Sequence, residues 1–199
     1  MQAVPAPSLT ATDLACRRGD RVLFARLGIT LGAGEAVQLV GANGIGKSSL
    51  IRILAGLARP YAGSVDRVGS LGLVDERLAL DPAAPLGQAL GFWARIDATD
   101  DAAQAETLGQ LGLLRLLDVP VRYLSTGQKK RAALARLIGQ GAAIWLLDEP
   151  LNGLDSAACA LVERLATAHC AGGGLCVIAS HQPFAIPGLR RLDMMDFAR

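Results

Sequence analysis

Nine consecutive residues have the types and spacing of a phosphate-binding loop. Their sequence, G-A-N-G-I-G-K-S-S, fits the pattern G-x-x-x-x-G-K-[ST]. They are Gly41, Ala42, Asn43, Gly44, Ile45, Gly46, Lys47, Ser48 and Ser49. Glycines let backbone N–H groups turn inward around an anion, and a helix that starts there adds the positive end of its dipole. In this pattern Lys47 binds the β- and γ-phosphates and the Ser48 hydroxyl reaches Mg²⁺, so the sequence predicts a nucleotide site.

Two acidic residues follow an apolar run further along the chain. The run 143–147 ends in Asp148 and Glu149. A carboxylate at the tip of a central strand, beside a phosphate loop, can hold Mg²⁺, so we assign Asp148 to the metal. Glu149 is the candidate to polarise the attacking water. An isolated Asp-Glu pair is often a helix cap or a surface feature, but the phosphate loop upstream favours the functional interpretation.

A histidine, His181, lies just after the last apolar run of the chain, 175–179. From the end of a strand its imidazole could hydrogen-bond a γ-phosphate and hold the water. Without the other motifs it would be interpreted as a partly exposed loop residue.

The segment 124–128, L-S-T-G-Q, precedes a predicted helix. Ser125 is a good helix cap and Gly127 allows close backbone approach, so this helix start is a second candidate anion site. One chain does not normally place two such sites on the same phosphate. We therefore expect a two-fold dimer, in which the Ser125 loop of each copy faces the Lys47 loop of the other. Alone, L-S-T-G-Q is equally compatible with an ordinary capped helix.

Alternating strands and helices must position these residues. Strands are predicted at 9–16, 21–31, 36–40, 65–68, 70–74, 143–147 and 175–179. Helices are predicted at 48–57, 129–138 and 155–171, with an all-helical insert over 86–117. Continuous apolar runs are typical of parallel strands buried on both faces. The predicted fold class is therefore α/β, a mostly parallel sheet flanked by helices.

Length, composition and charge limit the number of domains, the partners and the location that we expect for the protein. The chain has 199 residues, 51% apolar and 19% charged, which predicts a single globular domain over 1–199. The net charge is only +2 and no Lys/Arg block stands out, so we expect no nucleic-acid partner. No apolar stretch exceeds the six residues of 142–147, which is too short to cross a bilayer, and the Ala/Pro arm at 1–7 lacks the features of a signal peptide. We therefore expect a cytosolic protein that reaches a membrane only from outside the lipid.

The four cysteines do not form a metal motif by spacing. Cys170 and Cys176 lie between His169 and His181, but their spacing fits no zinc pattern. Reduced, packed thiols are the better prediction.

In this order, the motifs resemble those of an ATP-binding cassette (ABC) ATPase. The matching segments are the phosphate loop 41–49, the signature loop 124–128, the strand 144–149, the loop 152–155 and His181. The resemblance implies a P-loop NTPase fold of the ABC type, with an antiparallel β edge and a short helical subdomain at approximately 76–123. It also implies ATP and Mg²⁺ as cofactors. A second copy would cap the γ-phosphate with Ser125, Gly127 and Gln128, and Asp155 would couple the two sites.

A narrower likeness concerns one subgroup of this family. The segment 17–24, the short helical insert, the segment 145–155 and the length are similar to the haem-exporter ATP-binding subunits of bacterial cytochrome c maturation. That likeness implies a homodimer bound to integral membrane subunits at the cytoplasmic face of the inner membrane, with no direct haem binding by this chain. The alternatives are an ABC ATPase of another small exporter and a non-hydrolysing regulatory module. Glu149 and His181 together weigh against the regulatory module.

Three positions depart from the family pattern. Glu76 occupies the loop position where a glutamine is usual, and we assign it to Mg²⁺. Arg18 stands where an aromatic residue usually stacks on adenine, and a guanidinium can also stack on a base. Thr126 replaces a smaller residue in the signature loop. The adjacent Phe92 and Trp93 could form a docking patch, but we favour both rings in the core of the helical insert.

Overall fold

The computed structural model describes residues 5–199, so the first four residues of the predicted Ala/Pro arm lie outside it. Within that range, five parallel strands form the central sheet in the order β5-β6-β7-β3-β8. They are β3 (Ala36–Val40), β5 (Leu71–Val74), β6 (Ile144–Asp148), β7 (Leu175–Ala179) and β8 (Arg190–Asp193). Every residue of β6 and β7 is buried, as their apolar runs predicted. Because parallel strands end at one edge of a sheet, the segments after β3, β6 and β7 meet there.

A second, antiparallel sheet of the described residues has the order β2-β1-β4. Its strands are β1 (Ser8–Arg18), β2 (Arg21–Leu31) and β4 (Ala62–Val68). The turn between β1 and β2 includes Gly19 at φ +57°, a left-handed conformation that glycine adopts without strain. This sheet is the antiparallel β edge that the family resemblance implied.

Five α-helices occur in the part of the chain that the structure describes. They are α1 (Lys47–Leu54), α2 (Leu86–Asp97), α3 (Asp101–Gln110), α4 (Thr126–Gly139) and α5 (Ser156–Ala171). The helices α2 and α3 confirm the predicted helical insert, and the side chain of Asp100 caps α3 by accepting a hydrogen bond from Ala103 N at 3.0 Å. The first helix ends at Leu54, short of the predicted 57, because Gly56 adopts φ +76°.

The central sheet separates two apolar cores. On β6, Ile144 and Leu146 face the core formed with α1 and the antiparallel sheet. Trp145 and Leu147 face the other core, which contains residues of α2, α4 and α5. This alternation follows from the period of two along a strand. The core that contains Ile144 and Leu146 packs α1 between the two sheets.

The prediction for Phe92 and Trp93 is correct for only one of the two rings. Trp93 packs against the core, and its indole N–H donates to Ala79 O at 2.6 Å. Phe92 is 52% exposed, since the two residues are adjacent on α2 and face different directions. Among residues 5–199, no helix combines the length and the apolar character that a membrane span requires.

Candidate functional site

The phosphate loop between β3 and α1 has the backbone that its glycines predicted. Gly41, Gly44 and Gly46 adopt φ values of +138°, +80° and +116°. A Cβ at Gly46 would also lie 3.0 Å from Phe24 Cδ1, so a larger residue does not fit. Among the described residues, no side chain caps the start of α1, which leaves its first N–H groups free for an anion.

Lys47, the first residue of α1, is buried against its own loop. Its Nζ donates to Gly41 O at 2.7 Å and to Ala42 O at 3.3 Å. These contacts hold the ammonium group at the mouth of the loop, where it can exchange carbonyl partners for phosphate oxygens.

A cleft of about 410 Å³ opens over this loop and brings most of the predicted site residues together. The predicted residues that line it are Arg18, Asn43, Gly44, Gly46, Lys47, Ser48, Ser49, Glu76, Glu149 and His181. Leu23 and Asn152 line it as well, and the sequence had assigned neither to this site. Arg18 and Leu23 come from the β1–β2 hairpin, whereas Glu149 and His181 follow strands of the central sheet. The cleft therefore extends from the hairpin to the ends of the parallel strands.

Asp148, the last residue of β6, is the buried acid at the base of this site. It is 7% exposed, and its Oδ1 has no hydrogen-bond partner within residues 5–199. Burial raises the pKa of Asp148, a hydrogen bond from Ser48 lowers it, and the like charges of Glu149, Asp75 and Glu76 raise it further. Because Mg²⁺ prefers oxygen ligands and a buried carboxylate oxygen here lacks a partner, the residues present fit a magnesium ion. Ser48, Asp148 and Glu76 are the oxygen donors available to it.

Glu149 and His181 contact each other directly. The Nδ1 atom of His181 lies 2.9 Å from Oε2 of Glu149. The imidazole is half exposed, whereas the Glu149 carboxylate is mostly buried. The two candidate catalytic side chains are therefore already paired at the edge of the cleft.

The backbone of Glu149 is held in an unusual conformation. Its φ is +48°, which costs a non-glycine residue about 1–3 kcal/mol. Its N–H donates to Ala179 O at 2.8 Å, and its carbonyl accepts a hydrogen bond from Lys130 Nζ on α4. Burial lowers the pKa of Lys130, while Glu149, Asp148 and Glu76 raise it. Sequence reasoning missed Lys130, because its contact with the Glu149 carbonyl joins residues 19 positions apart and has no motif of its own.

The signature-loop residues do not reach the cleft of their own chain. Ser125 and Gln128 form a capping box: Ser125 Oγ accepts from Gln128 N at 3.2 Å, and Gln128 Oε1 accepts from Ser125 N at 2.8 Å. A Cβ at Gly127 would lie 3.2 Å from Gly153 O, so this helix start packs closely on the loop after β6. Asp155 caps α5 by accepting from Ala158 N at 2.8 Å. Within residues 5–199, none of these four residues lines the cleft over the phosphate loop.

The cysteine pair near the end of α5 is packed, as predicted. Cys170 and Cys176 are buried free thiols, and Cys16 and Cys159 are free as well in the described chain. The His169 ring stacks on Trp145, with ring centroids 4.0 Å apart and an interplanar angle of 10°.

Comparison with known proteins places this site in a family. The family model described as ABC transporter matches residues 24–152. The cytochrome c biogenesis ATP-binding export protein CcmA of Novosphingobium aromaticivorans is 60% identical over 95% of this chain and 96% of its own length. The protein of the same name from Sphingopyxis alaskensis is 52% identical over 94% of this chain and 96% of its own length.

Solved structures agree at the level of the fold. A structure described as an ABC-type ATP-binding protein from Pyrococcus furiosus superimposes with a TM-score of 0.83, at 20% identity, over 96% of this chain and all of that one. The family model, the relatives and the cleft between β3, β6 and β7 lead to one conclusion. The chain belongs to the ABC transporter family, as the order of its motifs predicted.

Proposed function

We propose that this chain is the ATP-hydrolysing subunit of an ABC exporter that serves bacterial cytochrome c maturation. Its hydrolysis of ATP would drive haem export or the release of a haem-loaded chaperone. The observation that carries the ATPase assignment is the convergence of Lys47, Asp148, Glu149 and His181 on one edge of the central sheet. The cytochrome c role is supported by relatives of that name at 60% and 52% identity over nearly the whole chain.

The cleft supplies separate groups for each part of Mg²⁺–ATP. Residues 41–49 and the start of α1 bind the triphosphate through backbone N–H groups and the Lys47 ammonium. Ser48, Asp148 and Glu76 would hold Mg²⁺, which neutralises charge on the β- and γ-phosphates when it is bound. Arg18 lies at the hairpin end of the cleft, where its guanidinium can stack on the adenine.

The Glu149–His181 pair would position the attacking water and stabilise the transferred phosphoryl group. The Glu149 carboxylate accepts a hydrogen bond from the attacking water and orients it towards the γ-phosphate. His181 holds the Glu149 side chain through the 2.9 Å contact and donates to the transferred phosphoryl group as its negative charge develops. The tethered backbone of Glu149 keeps the carboxylate at this position before ATP binds.

A second copy would complete each site. In a two-fold homodimer, Ser125, Gly127 and Gln128 of one copy cap the γ-phosphate held by the other, and Asp155 couples the two sites. Ser125, Gly127 and Gln128 do not line the cleft of their own chain, which supports this arrangement. Closing and reopening of the dimer would then deliver the work of hydrolysis.

The membrane partners would bind beside α2. A groove of about 800 Å³ is lined by Leu78, Ala79 and Asp81 of the loop after Glu76, and by Phe92 of α2. Its apolar floor and exposed Phe92 fit a membrane subunit at the cytoplasmic face of the inner membrane, with this chain peripheral. We assign haem contacts to the membrane subunits.

Phosphate release by the chain in its native membrane complex tests the ATPase assignment. We expect Glu149→Gln to lower turnover by about 10²–10⁴-fold while ATP binding persists, because the variant keeps the shape but loses the base. Glu106→Gln, on the exposed face of α3, is the matched control and should keep full turnover. Unchanged hydrolysis in Glu149→Gln would remove this residue from its role.

The cytochrome c assignment has its own test in cells. Cells that carry only Glu149→Gln should lose covalently haem-bearing c-type cytochromes, whereas Glu106→Gln cells should retain them. Normal cytochrome c content in cells with the inactive variant would refute the maturation role and leave the ATPase assignment intact.

A further inference from the structure

One polar side chain interrupts the apolar strand that leads into the phosphate loop. Gln38 is the central residue of β3, whose sequence is A-V-Q-L-V, and it is only 2% exposed. Its strand pairs with β7 on one side and β8 on the other, so the backbone of Gln38 takes part in the sheet and only its side chain needs other partners. Burying a carboxamide is unfavourable unless it finds hydrogen-bond partners. The partners of this amide therefore indicate its purpose.

The Gln38 amide donates to two carbonyls of a single loop. Its Nε2 lies 3.2 Å from Ser180 O and 2.7 Å from Gln182 O. These carbonyls belong to the residues on either side of His181. One side chain thus holds the peptide groups before and after the candidate catalytic histidine.

The same loop is reinforced around this contact. Ser180 Oγ donates to Gln182 O at 3.1 Å and accepts from Gln182 N at 3.1 Å. These bonds close a tight turn over Gln38, from which the half-exposed His181 ring projects to Glu149. Because about half of its side chain is exposed, the direction of the ring depends on how the loop backbone is fixed.

We propose that Gln38 is a positioning residue for His181: its amide fixes the loop 180–182 so that the imidazole meets the Glu149 carboxylate. Because β3 continues directly into the phosphate loop, one strand sets the position of both the triphosphate and the histidine that faces it. The consequence for turnover rests on the ATPase function proposed above. The structural part of the proposal concerns only the two carbonyls and the direction of the His181 ring.

The chain offers a matched control for this amide. Gln140 also donates its Nε2 to a backbone carbonyl, that of Leu71, at 3.0 Å. Leu71 begins β5, so this bond lies at the opposite end of the sheet from the cleft. Gln38→Met and Gln140→Met remove the same kind of bond with the same change in shape, one beside the site and one away from it.

Steady-state kinetics of the native membrane complex tests the consequence for turnover. We expect Gln38→Met to lower kcat by about 10- to 100-fold with little change in KM for ATP, because a displaced catalytic group weakens the transition state more than binding. Gln140→Met should keep the wild-type kcat. In a His181→Ala background, Gln38→Met should have no further effect, since the group it positions is gone. An equal loss of kcat in both backgrounds would overturn the proposal.

Nuclear magnetic resonance of the full chain gives a readout that does not need hydrolysis. The chain has only two histidines, so selectively labelled imidazoles give two resolved signals. Gln38→Met should shift the His181 ring signal and leave that of His169, whereas Gln140→Met should leave His181. Should Gln38→Met not fold, Gln38→Asn, whose amide is one methylene too short, must show the same selective shift. An unmoved His181 signal overturns the proposal, whereas a moved signal with no turnover in the wild type refutes the ATPase assignment instead.

Discussion

Replacing Asp148 by asparagine separates two effects of the carboxylate, one on the fold and one on the metal ion. The side chain is buried, and its Oδ1 has no partner within the described residues. Burial and the nearby acids raise its pKa above the unfolded value. A raised carboxyl pKa means that the folded state disfavours the charged form, so stability falls as pH rises through that pKa and stays reduced at neutral pH. Asp148→Asn removes this penalty and also removes the ligand.

The size of the effect follows from the contacts. A buried polar atom without a partner costs about 1–3 kcal/mol, and a charged one costs more. Asparagine keeps the Ser48 contact but leaves one neutral amide group unpaired, so we expect a net gain of about 1 kcal/mol without ligand. For a chain of 199 residues this corresponds to about 2–4 °C in Tm. Saturating Mg²⁺–ATP at about 100 times Kd should stabilise the wild type by about 2.7 kcal/mol, and the variant should lose the Mg²⁺-dependent part.

Calorimetric melting of both proteins, with and without Mg²⁺ and ATP, measures the two effects together. Asp66→Asn, at an exposed position on β4, is the control and should change neither Tm nor the ligand response. The expected pattern is crossed: Asp148→Asn melts above the wild type without ligand and below it with Mg²⁺–ATP. A lower Tm without ligand, or a full Mg²⁺-dependent rise in the variant, would refute the reasoning.

Two further predictions concern Lys130 and His169, both partly buried basic residues. Lys130→Met removes the donor to the Glu149 carbonyl, a charged hydrogen bond worth about 1.5–3 kcal/mol, so kcat should fall by about 10- to 100-fold. Lys129→Met, which loses only an exposed contact to a carbonyl, should keep its phosphate-release rate, and equal losses in the two variants would contradict the assignment. Burial lowers the pKa of His169. As pH falls below about 6.5, this histidine therefore binds a proton in the unfolded chain but not in the folded chain. The free energy of unfolding in urea should therefore drop between pH 7.5 and pH 5.5 in the wild type but less in His169→Phe, and identical slopes would contradict this.

The sequence predicted the elements whose signals are local. The strand β3, the phosphate loop and the buried strands β6 and β7 follow from apolar runs and glycines that need no tertiary information. The edge strand β8 was missed because three of its four residues, R-R-L-D, are charged and its pairing with β3 is not visible in the sequence. Strand β4 begins at Ala62, three residues before the predicted start at 65, because a glycine such as Gly63 gives no local strand signal.

The residues of the candidate site also fall into those that the sequence predicted and those that it did not. The loop 41–49 and the acids after β6 were predictable because their spacing encodes their chemistry. Lys130 and Gln38 were not predictable, because Lys130 contacts one backbone carbonyl and Gln38 contacts two, and these are brought near only by the packing of α4 and the pairing of β3 with β7. The positive φ of Glu149 likewise depends on tethers from two distant elements. The roles of Ser125 and its neighbours in a second copy stay predictions, since they involve contacts between chains.

The most direct test of the account is a crystal structure of Glu149→Gln with Mg²⁺ and ATP. We predict two copies related by a two-fold axis, with each triphosphate between the loop 41–49 of one copy and Ser125 and Gly127 of the other. Mg²⁺ should contact Ser48 and lie beside Asp148. A triphosphate bound by one chain alone, or by residues outside the 41–49 loop, would contradict the account.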